Sequence, residues 1–117
     1  MFRLDFTTRV LGEAAADRLR QKAVTQTLTG TTSSIVGALL HNGIKVGDYI
    51  EVALDEEVID LACVALVDRI PFDSLENGDA ERGGFDTVAE CRSSLLRAGY
   101  RSLLYRVLFN WRVEEVI

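Results

Sequence analysis

Histidine occurs once in this chain, at position 41, and cysteine twice, at positions 63 and 91. A single histidine excludes every multi-histidine metal site, and it excludes histidine-based acid catalysis anywhere else in the sequence. His41 precedes Asn42 and Gly43 at the end of an apolar segment, where it reads as a capping or surface residue rather than a catalyst. Two cysteines cannot build a disulfide framework. Cys63, inside "IDLACVALV", and Cys91, inside a helix-like segment, read as small core fillers. Proline also occurs once, at position 71, and is expected to end a strand there because it removes a ladder donor. Signature motifs are equally scarce: there is no phosphate-cradling glycine loop ending in Lys-Ser/Thr, no paired CxxC, no HExxH and no GxSxG. No apolar run approaches the length that spans a bilayer. The opening "MFRLDFTTRV" carries charge within its first five residues and lacks the apolar core of a signal peptide. The expectation is a soluble, cytoplasmic protein with no membrane partner, no metal and no cofactor.

The 117 residues suit a single domain, 1–117, large enough to bury one core without metal or disulfide staples. With 48% hydrophobic and 26% charged residues the composition is that of an ordinary globular chain, not a disordered or fibrous one. A net charge of −5 argues against coating duplex DNA by bulk electrostatics. The charge is unevenly spread. Between Lys45 and Glu90 thirteen acids face only Lys45, Arg69 and Arg82, whereas Arg92, Arg97, Arg101, Arg106 and Arg112 follow with no acid up to Val113. Arg18, Arg20 and Lys22 form a second basic cluster. Either cluster suffices for a small anionic ligand, and either also serves as a solvated face balancing the acids.

Residues 2–6, "FRLDF", alternate apolar and polar and predict a half-buried strand. "VLGEAAADRLRQK" predicts a helix, with Glu13 and Asp17 early and Arg18, Arg20 and Lys22 late, as the helix dipole favours. "AVTQTLT" has the β-branched content of a strand, "GTTSS" that of a loop, and "IVGALLHNG" that of a short helix stopped by Asn42 and Gly43. "KVGDYIEVAL" reads as a turn and strand and "DEE" as the next turn. "VIDLACVALVDRI" is a nearly continuous apolar run, expected to be a central strand covered on both faces. "DAERGGF" looks like a joint before the helix "DTVAECRSSLLRAG", for which Asp86 is the candidate N-cap and Gly99 the stop. In the last strand Tyr105, Val107, Phe109, Trp111 and Val113 share one face. Trp111 and Tyr105 could stack on bases, although aromatics alternating along a strand read first as core. Isolated helices between strands joined partly by tight turns predict a mixed antiparallel sheet or small barrel, not a βαβ repeat.

Three blocks, "LRQKAVTQT", "KVGDYIEV" and "RIPFDSLENGDAERGGFDTVAE", together resemble the ASCH family of small PUA-like proteins. Lys22 with Thr25 matches its Lys-x-x-Thr element, Gly47 with Asp48 its Gly-Asp turn, and Pro71, Phe72, Asp73, Leu75, Asp79, Ala80, Gly84, Phe85 and Glu90 its third and most specific block. The resemblance implies an α+β fold, mostly β: a PUA-like small β-barrel or mixed sheet with two to three flanking helices. It also implies a cleft for RNA, a nucleoside or a nucleotide-like ligand. Lys22, Thr25, Arg9, Arg20 and Arg82 are the expected ligand-binding residues.

Part of that family hydrolyses acetylcytidine with lysine, threonine and glutamate, the lysine activating the threonine hydroxyl and the carboxylate managing the proton of the leaving amine. Here the family's glutamate falls on Gly83, so Lys22, Thr25 and a displaced Glu81 would be the catalytic set of an amidohydrolase. Lys22 and Thr25 can serve one cleft only if Lys22 lies in the turn before the strand, since strand residues three apart face opposite ways. Thr27 stands where the family often has arginine, and Arg20 where it often has glycine. "GTTSSIVGALLHNG", residues 30–43, is an apparent insertion. The reading favoured by the sequence is a binding domain without efficient catalysis. The alternatives are the amidohydrolase and a protein-interaction module using the acidic middle segment.

Overall fold

The computed structural model describes residues 2–30 and 44–113. The expected loop and short helix of the insertion, with His41 and the Asn42–Gly43 stop, lie outside the described residues.

Five strands form one mixed sheet: β1 (Phe2–Phe6), β2 (Gln26–Gly30), β3 (Tyr49–Leu54), β4 (Glu57–Pro71) and β5 (Leu103–Trp111), in the order β1-β3-β4-β5-β2. β1 runs parallel to β3 and the remaining pairs are antiparallel. β1 and β2 are the two edges, so of the two architectures expected the described residues form the mixed sheet. β3 and β4 are joined by Asp55 and Glu56, both left-handed at φ 49° and 73°, the geometry of a two-residue hairpin turn whose twist matches its strands.

Among the described residues four α-helices flank the sheet, where two to three were expected: α1 (Thr8–Leu11), α2 (Glu13–Arg20), α3 (Asn77–Arg82) and α4 (Val88–Arg97). The single helix predicted after β1 is two. Thr7 caps α1 by accepting from the Val10 N–H, and Gly12, at φ 86°, stops it and opens α2. The additional helix is α3, which begins two residues before the segment read as a joint and takes in its first four residues. Its first turn is closed by Asp79, whose Oδ2 accepts from the Glu76 N–H at 3.1 Å. Gly83 has an ordinary right-handed backbone (φ −81°), so only Gly84, at φ 89°, needs glycine's freedom in that turn. The N-cap of α4 is Thr87, one residue beyond the candidate: its hydroxyl accepts from the Glu90 N–H at 3.1 Å. Asp86 pairs with Arg18 instead, at 2.8 Å. Gly99, at φ 87°, follows the helix as expected.

β4 is the third of the five strands, hence central, but it is not covered on both faces. Ala65, Leu66 and Arg69 are exposed, and the β4/β5 register shifts between Val64 and Leu66. An antiparallel sheet can leave one face to water where a parallel one cannot, and the bulge at Ala65 breaks the alternation that an apolar run conceals. Two clusters form the core. One packs α2 through Ala16 and Leu19 against Leu4, Ile50, Val52, Val64 and Phe109 of the sheet. The other packs α3 and α4 through Ala80, Cys91 and Leu95 against Ile70 and Leu104. Cys91 is thus a core filler, its thiol pushed up to about 11 mainly by burial, while Cys63 is only half-buried.

Candidate functional site

A cavity of about 320 Å³ opens between β2, α1, α4 and the Gly83–Phe85 turn. Gln26, Thr27, Leu28 and Thr29 all line it. Consecutive strand residues point to opposite faces, so a cavity touching four in a row lies along the strand's edge. β2 is an edge strand, and the Phe109 N–H donates to the Thr25 carbonyl at 2.9 Å. With Gln26 opposite Leu108, the Thr25 carbonyl and the peptide groups of Thr27 and Thr29 therefore turn toward β5, while the Thr25 N–H donates to the Arg82 carbonyl at 2.8 Å. The N–H and C=O of Leu28 face the free edge.

The walls are partly aromatic, with Phe6, Phe85 and Tyr100 among the lining residues. The Tyr100 ring lies against the backbone of Gly30, where a built Cβ would overlap it. Thr29, only 6% exposed, is one of the lining residues, and its hydroxyl is buried with no hydrogen-bond partner among the described residues. A buried hydroxyl left unpaired costs about 1–3 kcal/mol, and among the described residues nothing meets this oxygen. Arg9 lines the same cavity and is itself exposed, which places a cation toward solvent. Asp5, also on the wall, is paired with Arg3 at 2.9 Å.

Behind β2 a polar network fixes the floor. Gln26, 2% exposed, donates from Nε2 to Asp79 Oδ1 at 3.3 Å and accepts from Arg82 Nε at 2.8 Å. Asp79 Oδ1 also accepts from Arg82 Nη2 at 2.9 Å and Arg106 Nη1 at 2.8 Å. Arg106 in turn grips Asp68 with two bonds, at 2.8 and 2.6 Å. Burial alone would push the Asp79 carboxyl up, but hydrogen bonds from Arg106, the Glu76 N–H and Gln26 outweigh it and hold it below the usual range.

The expected site residues are divided among several places. Arg9 is on the cavity wall. Arg82 lies behind it, bound to Gln26 and Asp79. Arg20 is paired with Asp17 at 2.7 Å, beside a separate depression that includes Asp55. Glu81 is exposed on α3. Lys22 does lie in the turn before β2, as a shared cleft with Thr25 requires, yet neither residue lines the cavity.

Lys22 occupies the left-handed position (φ 61°) that ends α2. Its N–H donates to Leu19 and the Ala23 N–H to Arg18, at 3.0 and 2.9 Å, a helix stop usually given to glycine. From there its ammonium reaches Asp60 Oδ2 at 2.6 Å, with the Trp111 ring 5.9 Å away. The Asp60 side chain is 9% exposed and also takes Arg112 at 2.9 Å. The Lys22 hydrogen bond is the main reason that the Asp60 carboxyl lies below its ordinary value. Trp111 packs on the first core cluster and donates from Nε1 to the Val24 carbonyl at 2.7 Å, as a core aromatic would.

The residues that sequence reasoning missed are Gln26, Thr29 and Asp68. Glutamine in a run of threonines was the one available signal, because a strand has no use for a buried amide unless something meets it.

No protein-family model matches the chain, and no curated protein matches it by sequence. Solved structures do match it by fold. A protein of Enterococcus faecalis V583 from the DUF984 family is 14% identical, with 100% of this chain and 87% of that one covered at a TM-score of 0.61. The ASCH domain from Lactobacillus crispatus JV V101 is 12% identical, with 92% and 79% covered at a TM-score of 0.60. At such identities the likeness is one of architecture, and it spans nearly all of the chain. The protein therefore has an ASCH-like, PUA-like α+β fold, with a mixed five-stranded sheet flanked by helices.

Proposed function

We propose that this protein is a binding domain that takes RNA or a nucleotide-like ligand into the cavity along β2. The observation that carries the reading is an aromatic-walled cavity with Arg9 on its wall, lined also by Thr29, whose buried hydroxyl has no partner among the described residues. The cavity's volume falls within the range of small-ligand sites, roughly 300–1,000 Å³. Aromatic walls suit a flat base, which stacks on such rings, and an arginine suits a phosphate.

Hydrolysis is the weaker reading. A lysine that activates a threonine hydroxyl needs an unprotonated amine, whereas Lys22 is hydrogen-bonded to a carboxylate. Neither it nor Thr25 reaches the cavity wall, where Gly83 offers no carboxylate. Titration of labelled single-stranded RNA and of nucleosides at low salt tests the binding function. Saturable binding weakened by Arg9→Ala is the expected result, and no saturable binding would remove the proposal.

A further inference from the structure

Resting on that reading, we infer that the cavity takes one unpaired nucleotide base-first, its hydrogen-bonding edge against the free edge of β2 and its phosphate toward Arg9. Three features carry this polarity. The Leu28 N–H and C=O face the open side of β2, and among the described residues no strand pairs with that side. A peptide edge of this kind offers a donor beside an acceptor, and the pairing edge of every base offers the complementary set. The Thr29 hydroxyl, either donor or acceptor, lies at the adjacent position, buried and without a partner among the described residues. Arg9, by contrast, is exposed and has no charge partner among the described residues. Buried neutral groups with an exposed cation favour a ligand whose neutral heterocycle enters and whose anion stays outside.

A base held in this way has spent its pairing edge, so the same base in a duplex is refused. The cavity would therefore select single-stranded or extruded nucleotides without reading much sequence. This differs from simple electrostatic attraction, which would favour a duplex for its denser phosphates.

The test uses the full chain and calorimetric titration with the four nucleoside monophosphates, followed by two derivatives of the best binder: its nucleoside, and the monophosphate methylated on the pairing-edge ring nitrogen. Methylation is expected to abolish measurable binding, and removal of the phosphate to weaken it roughly tenfold. Arg9→Ala should bind the nucleotide no better than the nucleoside. Thr29→Val should bind about fivefold less tightly, while its denaturant midpoint is unchanged or higher, since it deletes an unsatisfied hydroxyl. Methylated and unmethylated forms binding alike would overturn the edge-first arrangement while leaving a nucleotide site standing. Failure of all four monophosphates and of single-stranded RNA would overturn the binding function itself.

Discussion

At the scale of single residues, two glycines bear on the cavity in opposite ways. Gly30 is where the Tyr100 ring meets bare backbone, so Gly30→Ala must push that ring out of place. Overpacking of this kind costs about 1–3 kcal/mol; urea denaturation should show a loss of that size, accompanied by weaker ligand binding. Gly83 is more forgiving. Its backbone suits any residue, and a Cβ there would stand 3.1 Å from the Phe85 ring and 3.3 Å from the Asp79 carbonyl, tight contacts but without the overlap that Gly30 would meet. Gly83→Glu should therefore fold, yet it should release no cytidine from acetylcytidine, because Lys22 stays tied to Asp60. Turnover by this variant would show that Lys22, Thr25 and position 83 do converge. The sequence made Lys22 and Thr25 conspicuous through a spacing motif, whereas Gln26 stayed invisible. Its partners Asp79 and Arg82 lie 53 and 56 positions away, and no local pattern records such a separation.

Among the elements, α3 explains why part of the fold was hidden. It has only six residues, too few to be stable alone, and it is held by contacts from elsewhere. Asp79, 2% exposed, ties it to Gln26 on β2 and Arg106 on β5. Asp79→Ala would leave Arg82 without its carboxylate, Arg106 with one partner fewer and the Gln26 Nε2 with only its 3.5 Å contact to the residue-79 carbonyl. Removing one member of a buried ion pair costs roughly 3–5 kcal/mol, a loss to be read from chemical denaturation. β1, β3 and β5 were legible because their alternation is local and their faces are buried unequally. β4 was legible as a strand but not in its coverage, since an apolar run looks the same whether one face or both are packed. The break between α1 and α2 rests on Gly12 at φ 86°, and a lone glycine inside a helical pattern is often tolerated.

For the molecule as a whole, acid acts on the fold through three carboxyls. The carboxyls of Asp79, Asp60 and Asp55 all lie below their ordinary value of 3.8, Asp55 chiefly through the Thr8 hydroxyl. A carboxyl with a depressed folded-state pKa stabilises the fold fully above the unfolded value, and that contribution is lost as pH falls through the folded one. The denaturant midpoint should accordingly be level from neutrality to about pH 5 and fall steeply below about pH 4. A midpoint unchanged at pH 3 would show that these three groups titrate alike in both states. The strand order has a consequence in time as well. β2 is early in the chain but pairs only with β5, which follows every other described element. During synthesis the floor of the cavity must therefore wait, exposed and unpaired, until β5 leaves the ribosome. Chains released before β5 would have no place to dock β2, so the floor of the cavity would form only once β5 has been made.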